Sequence, residues 1–208
     1  MKLVVQEFLS LDGVSQGPGA PDEDTSGGFT RGGWFVPHLD ETFEQLAADW
    51  LHRADALLLG RRTYENFARD WPAMAGLHPL ADLMNGLPKY VAAHHLADAS
   101  WNPTTVLAGD VPAEVARLKE QDGREIQVHG SAELAQSLLA AGLVDELRLV
   151  VAPVVVGQGR RLFPDGGAPA GLRLTRHETT PAGLSVHTFA WTGAPEYATY
   201  ESGAGSGA

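Results

Sequence analysis

Ala56-Leu57-Leu58-Leu59-Gly60-Arg61-Arg62-Thr63-Tyr64 is the stretch on which the fold turns. Its first half reads as a short apolar strand. Gly60 lets the backbone approach a neighbour closely, and a helix starts near Arg62. The free N–H groups of a helix start form an anion site. Two arginines at that point add bidentate phosphate donors. The same residues also read as a tight turn carrying two solvated arginines, and this stretch alone leaves the two readings level.

Outward from it, strands and helices alternate. A strand is expected over 2–9 and a helix over 39–53, where Phe43, Leu46, Ala47, Trp50 and Leu51 follow helical spacing. Further strands are expected over 89–93, 104–107 and 125–129. Pro112 opens a helix in its first turn, and a helix over 132–141 is closed by Gly142. Residues 144–156 read as one long apolar strand of the sheet interior, and 172–180 with 183–191 as a hairpin across Pro181-Ala182-Gly183. The pattern predicts an α/β domain with a mixed, mainly parallel sheet, flanked by helices and ending in an antiparallel hairpin. Ligands of such sheets bind at the carboxyl ends of the strands. The loops after residues 9, 59, 93, 129 and 156 are therefore the ones that matter.

A second strand–glycine–helix turn occurs at Val128-His129-Gly130-Ser131-Ala132-Glu133-Leu134. Ser131 is a natural N-cap, and a diphosphate would sit against the N–H groups of Gly130 to Ala132. Two such turns in one sheet carry more weight than one, because a dinucleotide spreads its phosphates over several strands. Gly157-Gln158-Gly159-Arg160-Arg161 does not complete a dinucleotide fingerprint. It lacks a third glycine, and Pro164-Asp165-Gly166-Gly167 follows where a helix would be needed.

The bulk numbers narrow the classes. The chain has 208 residues, 44% of them hydrophobic, enough for one domain with a sizeable core. A formal net charge of −11 argues against nucleic-acid binding and makes a local arginine cluster more telling. Having no cysteines excludes thiol catalysis and zinc–thiolate sites. The eight histidines show no metal-ligand spacing, so no metal is expected. With no apolar run of spanning length and no signal-like start, a cytoplasmic location without membrane contact is expected. Residues 15–33, rich in glycine and proline, form a loose stretch. The domain is expected to occupy 1–193, followed by a disordered tail over 194–208.

Phe8-Leu9-Ser10-Leu11-Asp12-Gly13, Leu58-Leu59-Gly60-Arg61-Arg62-Thr63-Tyr64-Glu65, Val128-His129-Gly130-Ser131, Leu143-Val144-Asp145-Glu146-Leu147 and Pro153-Val154-Val155-Val156-Gly157-Gln158-Gly159 stand in that order. As an ordered set they resemble the dihydrofolate reductase-like family, which includes the C-terminal reductase domain of the bifunctional riboflavin biosynthesis protein. The resemblance implies a dihydrofolate reductase-like three-layer fold and NADPH as hydride donor to a small pterin-like or pyrimidine-like heterocycle. A nucleotide-binding module without turnover is the rival reading. The resemblance further implies that Gly60, Arg61, Arg62 and Thr63 form one phosphate turn, and His129, Gly130, Ser131, Ala132 and Leu134 the second. Leu9, Asp12 and Gly13 would hold the nicotinamide, with residues 14–36 as a mobile lid. Ala93 and His94 stand where the family has a serine and an arginine on the adenosine phosphate. Asp40 falls near the family's carboxylate on the first helix; it is the candidate proton donor, and the helix N-cap is the favoured alternative reading. A homodimer is expected from the resemblance and from the apolar 150–156 segment.

Overall fold

The computed structural model describes residues 1–200. Eight strands form one sheet: β1 (Lys2–Ser10), β2 (Ala54–Gly60), β3 (Lys89–Ala92), β4 (Thr104–Leu107), β5 (Glu125–His129), β6 (Glu146–Ala152), β7 (Gly171–Thr179) and β8 (Ser185–Gly193). Their order is β4-β3-β2-β5-β1-β6-β8-β7. Pairing is parallel from β4 through β6, and β8 runs antiparallel to both β6 and β7. The mixed, mainly parallel sheet with a terminal hairpin is thus as expected.

Five helices cover it: α1 (Glu41–Leu51), α2 (Arg61–Asp70), α3 (Pro79–Gly86), α4 (Val111–Lys119) and α5 (Ala132–Ala140). Residues of α4 and α5 pack on the face of β1 that carries Leu3, Val5 and Leu9. Phe43, Leu46 and Trp50 of α1 pack on the opposite face beside Phe8, and Tyr64 of α2 and Met84 of α3 join Leu57 and Leu59 there. This is the three-layer arrangement, and alternate residues of β1 feed its two cores.

Four expectations are corrected. The strand read over 144–156 stops at Ala152, because Pro153 has no N–H for the ladder and Val154 N–H turns back onto Ala152 O at 2.7 Å. Helix α1 begins at Glu41 rather than 39, behind its cap. Helix α3 was not expected, although Pro79 in its first turn and the buried pair Ala81 and Met84 signal it. The stretch over 15–33 is not loosely placed. Within it Phe29 and Gln16 are buried, Gln16 Nε2 donates to Asp24 O at 3.1 Å and Ser26 O at 3.0 Å, and Gln16 O accepts from Trp34 Nε1 at 2.9 Å just beyond it.

The dimer argument from residues 150–156 also falls. Val150, Ala152 and Val156 are covered within the chain by Phe43, Leu184 and Val186, Val151 and Val154 are half-buried, and Pro153 and Val155 are exposed. Among the described residues no helix is long and apolar enough to cross a membrane. Residues 194–200 extend beyond β8 with Tyr197 and Tyr200 exposed, and the remainder of the expected tail, 201–208, lies outside the described residues.

Candidate functional site

A step in the sheet makes the site. Gln6 of β1 lies abreast of His129, the last residue of β5, and Leu58 of β2 abreast of Val128. Strands β2 and β5 therefore end together, while β1 runs on to Ser10 beside β6, which runs on to Ala152. The result is a notch at the carboxyl ends of β2 and β5, walled by the last turn of β1.

Helices α2 and α5 start from that notch, side by side. A Cβ on Gly60 would fall 2.6 Å from Ser131 Oγ, so only glycine lets the two turns meet. Gly130 has φ +62, and a Cβ there would lie 3.3 Å from Thr63 Oγ1. The two turns expected from sequence thus come together, with Gly60, Thr63, Gly130, Ser131 and Ala132 in one place. Ser131 occupies the N-cap position but its side chain makes no capping bond, which corrects the capping expectation. Gly60 has no side chain to cap α2. Both helix starts thus lack a side-chain cap, and their combined dipole favours an anion in the notch.

Four arginines surround these helix starts, and they are not equivalent. Arg61 pairs with Glu65 one turn along α2, at 3.1 Å. Arg62 donates to Ser26 Oγ at 3.1 Å and lies 3.6 Å from Asp24 Oδ2. Arg160 donates to the same hydroxyl at 2.6 Å and is ion-paired to the same carboxylate. Arg161 Nε donates to Asp12 O at 2.8 Å. A surface cavity of about 380 Å³ is lined by Ala132 at the start of α5, by Glu133 and Gln136, and by Arg160 and Arg161. Sequence reading placed Arg160 and Arg161 only near a ligand. It missed that Asp24 and Ser26 span Arg62 and Arg160, because that contact joins segments 36 and 134 residues apart. Asp24 loses hydration by burial, which raises its pKa, but Ser26 and Arg160 outweigh this and hold it below the usual range.

Asp12 ties the β1 turn to the segment after β6. Its Oδ1 accepts from Ser10 Oγ at 2.7 Å and from Val156 N–H at 3.0 Å, and its Oδ2 accepts from Gly157 N–H at 2.7 Å. The Ser10 hydroxyl foremost, then these backbone donors, lowers its pKa to about 2. Gly13 closes this turn, donating to Ser10 O at 2.9 Å. Leu9 and Leu134 are both buried in the core on the α4–α5 side, so their side chains pack rather than face the notch. Ala93 and His94 follow β3 at the same sheet edge; His94 is exposed, with Nδ1 3.1 Å from Ala108 O.

Asp40 is the N-cap of α1. Its Oδ1 accepts from Phe43 N–H at 2.8 Å, and its Oδ2 from Ala182 N–H in the β7–β8 turn at 2.8 Å. Burial would raise its pKa, but these donors lower it on balance, so the carboxylate is held ionised. Glu7 behaves in the opposite way. It is buried on the α5 side, its Oε1 has no hydrogen-bond partner, and burial raises its pKa to about 8. Among the described residues no group of three or more His, Asp or Glu side chains could hold a metal ion.

A notch at the carboxyl edge of such a sheet, entered by two helix starts, is where open α/β sheets bind their ligands. The chain belongs to the RibD C-terminal domain family, whose model matches residues 1–186. Among curated proteins it is 25% identical over 195 residues to YyaP of Bacillus subtilis, covering 92% of this chain and 96% of that one. YwjB of the same organism is 29% identical over 140 residues, or 67% and 76% of the two chains. A Shewanella sp. PV-4 structure named for riboflavin biosynthesis matches with TM-score 0.64 and 20% identity, over 92% of this chain and 99% of that chain. A pyrimidine reductase-like protein from Corynebacterium diphtheriae matches with TM-score 0.60 and 16% identity over 92% of each chain.

Proposed function

We propose that this protein is an NADPH-dependent reductase acting on a small heterocycle of pyrimidine or pterin type. The observation that carries the reading is the contact between the two helix starts at Gly60 and Ser131, ringed by arginines in a chain of net charge −11. A protein this acidic concentrates positive charge in one place when an anion belongs there. Gly60, Thr63, Gly130, Ser131 and Ala132 would hold the diphosphate through backbone N–H groups, with Arg160 and Arg161 beside it. Arg62, or His94 at the next strand end, would meet the 2′-phosphate. When bound, the dihydronicotinamide supplies the hydride. The chain's own part is to orient it, with the wall formed by Leu9 to Gly13 held in place by Asp12, and to exclude water. The segment over 14–36 would cover the notch, and Asp24 holds its place on Arg62 and Arg160 until a phosphate competes for them. Family membership supports a riboflavin-type pyrimidine reductase as the nearest specific case, and a homodimer rests on that same likeness.

The test is titration with NADPH and NADH, read through the five tryptophans. A charge-assisted hydrogen bond contributes about 1.5–3 kcal/mol, so NADPH is expected to bind at least about tenfold tighter than NADH. Failure of both nucleotides to bind below about 1 mM overturns the reading.

A further inference from the structure

Three polar side chains stand abreast on the α1 face of the sheet, level with the end of β5. Gln6 is registered with His129 on one side and with Arg148 on the other, so all three point to the α1 face. Gln6 Nε2 and Arg148 Nη1 are buried donors without a hydrogen-bond partner among the described residues. Gln6 is 9% exposed and Arg148 2%. Arg148 uses its other nitrogens on Glu146 at 2.7 Å and Glu125 at 2.9 Å, and its guanidinium lies 5.3 Å from the Trp50 ring centroid.

The chemistry of the third member follows from its neighbours. Gln127 Nε2 donates to Trp50 O at 2.6 Å and to Glu125 Oε2 at 2.8 Å, which fixes the amide. Its Oε1 therefore faces His129 Nε2, at 3.3 Å. An amide oxygen only accepts, so Nε2 carries the hydrogen and Nδ1 is left as an acceptor. Burial, and then the charge of Arg148, lowers the His129 pKa to about 4, so the ring is neutral at physiological pH. The row thus reads acceptor, donor, donor. The charge of Arg148 is already met by Glu125 and Glu146, which pair in turn with Arg53 and Lys2. A guanidinium engaged by two carboxylates offers little to an anion, and the row suits a neutral ligand.

We propose that His129, Gln6 and Arg148 recognise the lactam edge of a neutral heterocycle, its N–H meeting His129 and its carbonyl oxygen meeting the Gln6 and Arg148 donors. This deepens the reductase reading and rests on it for the location of the ligand. His129 ends β5 and is half-buried, which opens the row to the notch. Phe8, the next residue of β1 on the same face, stacks with Phe35 and supplies a flat apolar wall for a ring. A site built around buried donors rejects the analogue that leaves them unpaired.

The experiment is calorimetric titration of the full chain, with and without saturating NADPH, using pyrimidinones, pterins and matched rings lacking the carbonyl. The lactams are expected to bind, and the carbonyl-free rings to bind at least about tenfold more weakly. Gln6→Leu, and the volume-matched Gln6→Met, should lose that discrimination while NADPH affinity stays unchanged and the melting temperature holds or rises. Deleting a donor that has no partner costs no bond. The proposal is overturned if no lactam binds wild type below about 1 mM, if lactams and carbonyl-free rings bind alike, or if both variants lower the melting temperature with ligand affinity unaltered. Loss of NADPH binding to wild type would instead remove the reductase reading, since lactam binding is measured without nucleotide as well.

Discussion

Asp24 and Glu125 each hold arginines, one at the rim of the notch and one beneath it. Asp24 sits on Arg62 and Arg160, whose side chains are 54% and 38% exposed. Glu125 sits on Arg148, whose side chain is 3% exposed, with Glu146 on its other side. At the rim, water competes with every contact, and a phosphate can replace the carboxylate at little cost. Beneath the notch the charges have been dehydrated together, and no partner can leave without stranding another. The same residue types therefore give exchangeable ion pairs above and a fixed scaffold below. Glu7 is the third case, a buried carboxyl whose Oε1 has no partner and which exists mainly as the neutral acid.

The sharpest way to break this comparison is Arg148→Ala. It strands Glu125 and Glu146 and should cost about 3–5 kcal/mol by denaturant unfolding. A loss within 1 kcal/mol would mean that the lower network is as exchangeable as the upper one. Glu7 comes next. Its folded pKa is raised above the unfolded value of 4.5, so its contribution is fully present below pH 4.5 and is lost as pH rises toward 8. Wild type should lose stability over that window with a slope contribution of about 1.4 kcal/mol per pH unit. Comparing Glu7→Gln across pH 5 to 8 checks this: the variant should show the flatter profile, and parallel profiles would contradict it.

At the rim the expected effects are on binding. Arg62→Ala and Arg160→Ala should each leave stability within about 1 kcal/mol. At least one should reduce the NADPH-over-NADH preference about tenfold, and added salt should erode it further. Equal preference in both variants would move the 2′-phosphate site to His94. Asp24→Asn should tighten NADPH about fivefold, the equivalent of roughly 1 kcal/mol between unit charges 4 Å apart in water; weaker binding would mean that Asp24 orders the site rather than competing for it. The smallest effect is at Asp40. Asp40→Ala should lower the melting temperature by about 2–4 °C, while Asp40→Asn, which keeps the bond from Phe43 N–H but cannot accept from Ala182 N–H as well, should lower it by less and match wild type in turnover. Loss of turnover in Asp40→Asn would identify it as the proton donor.

Much of this was legible in the chain. The apolar run ending at Gly60 and the turn at Gly130-Ser131 announced two helix starts at one sheet edge, because a strand ending on glycine is a local pattern with a local cause. Asp40 as a cap was equally local, three residues from the N–H that it accepts. Short range also explains the errors. The pattern over 144–156 stayed apolar past Pro153, and hydrophobicity alone does not show where a ladder loses its donors. Residues 15–33 looked loose because glycine and proline dominate them, while Phe29 among them joins a core that includes Val150, Val156 and Leu184 from distant parts of the chain.

What the sequence determined by itself is the alternation of strands and helices, apart from α3, the two strand–glycine–helix turns and the acidic background that makes an arginine cluster meaningful. Composition, periodicity and capping act within a few residues and can be read along the chain. The placing of Asp24 on Arg160 and the alignment of Gln6 between His129 and Arg148 were decided by tertiary structure alone. Strand register fixes the second, and the bonding of Val14, Ser15 and Gln16 against Arg160 and Arg161 fixes the first, in each case between residues more than a hundred positions apart. A shift of one residue in either pairing would turn Gln6 to the other face of the sheet.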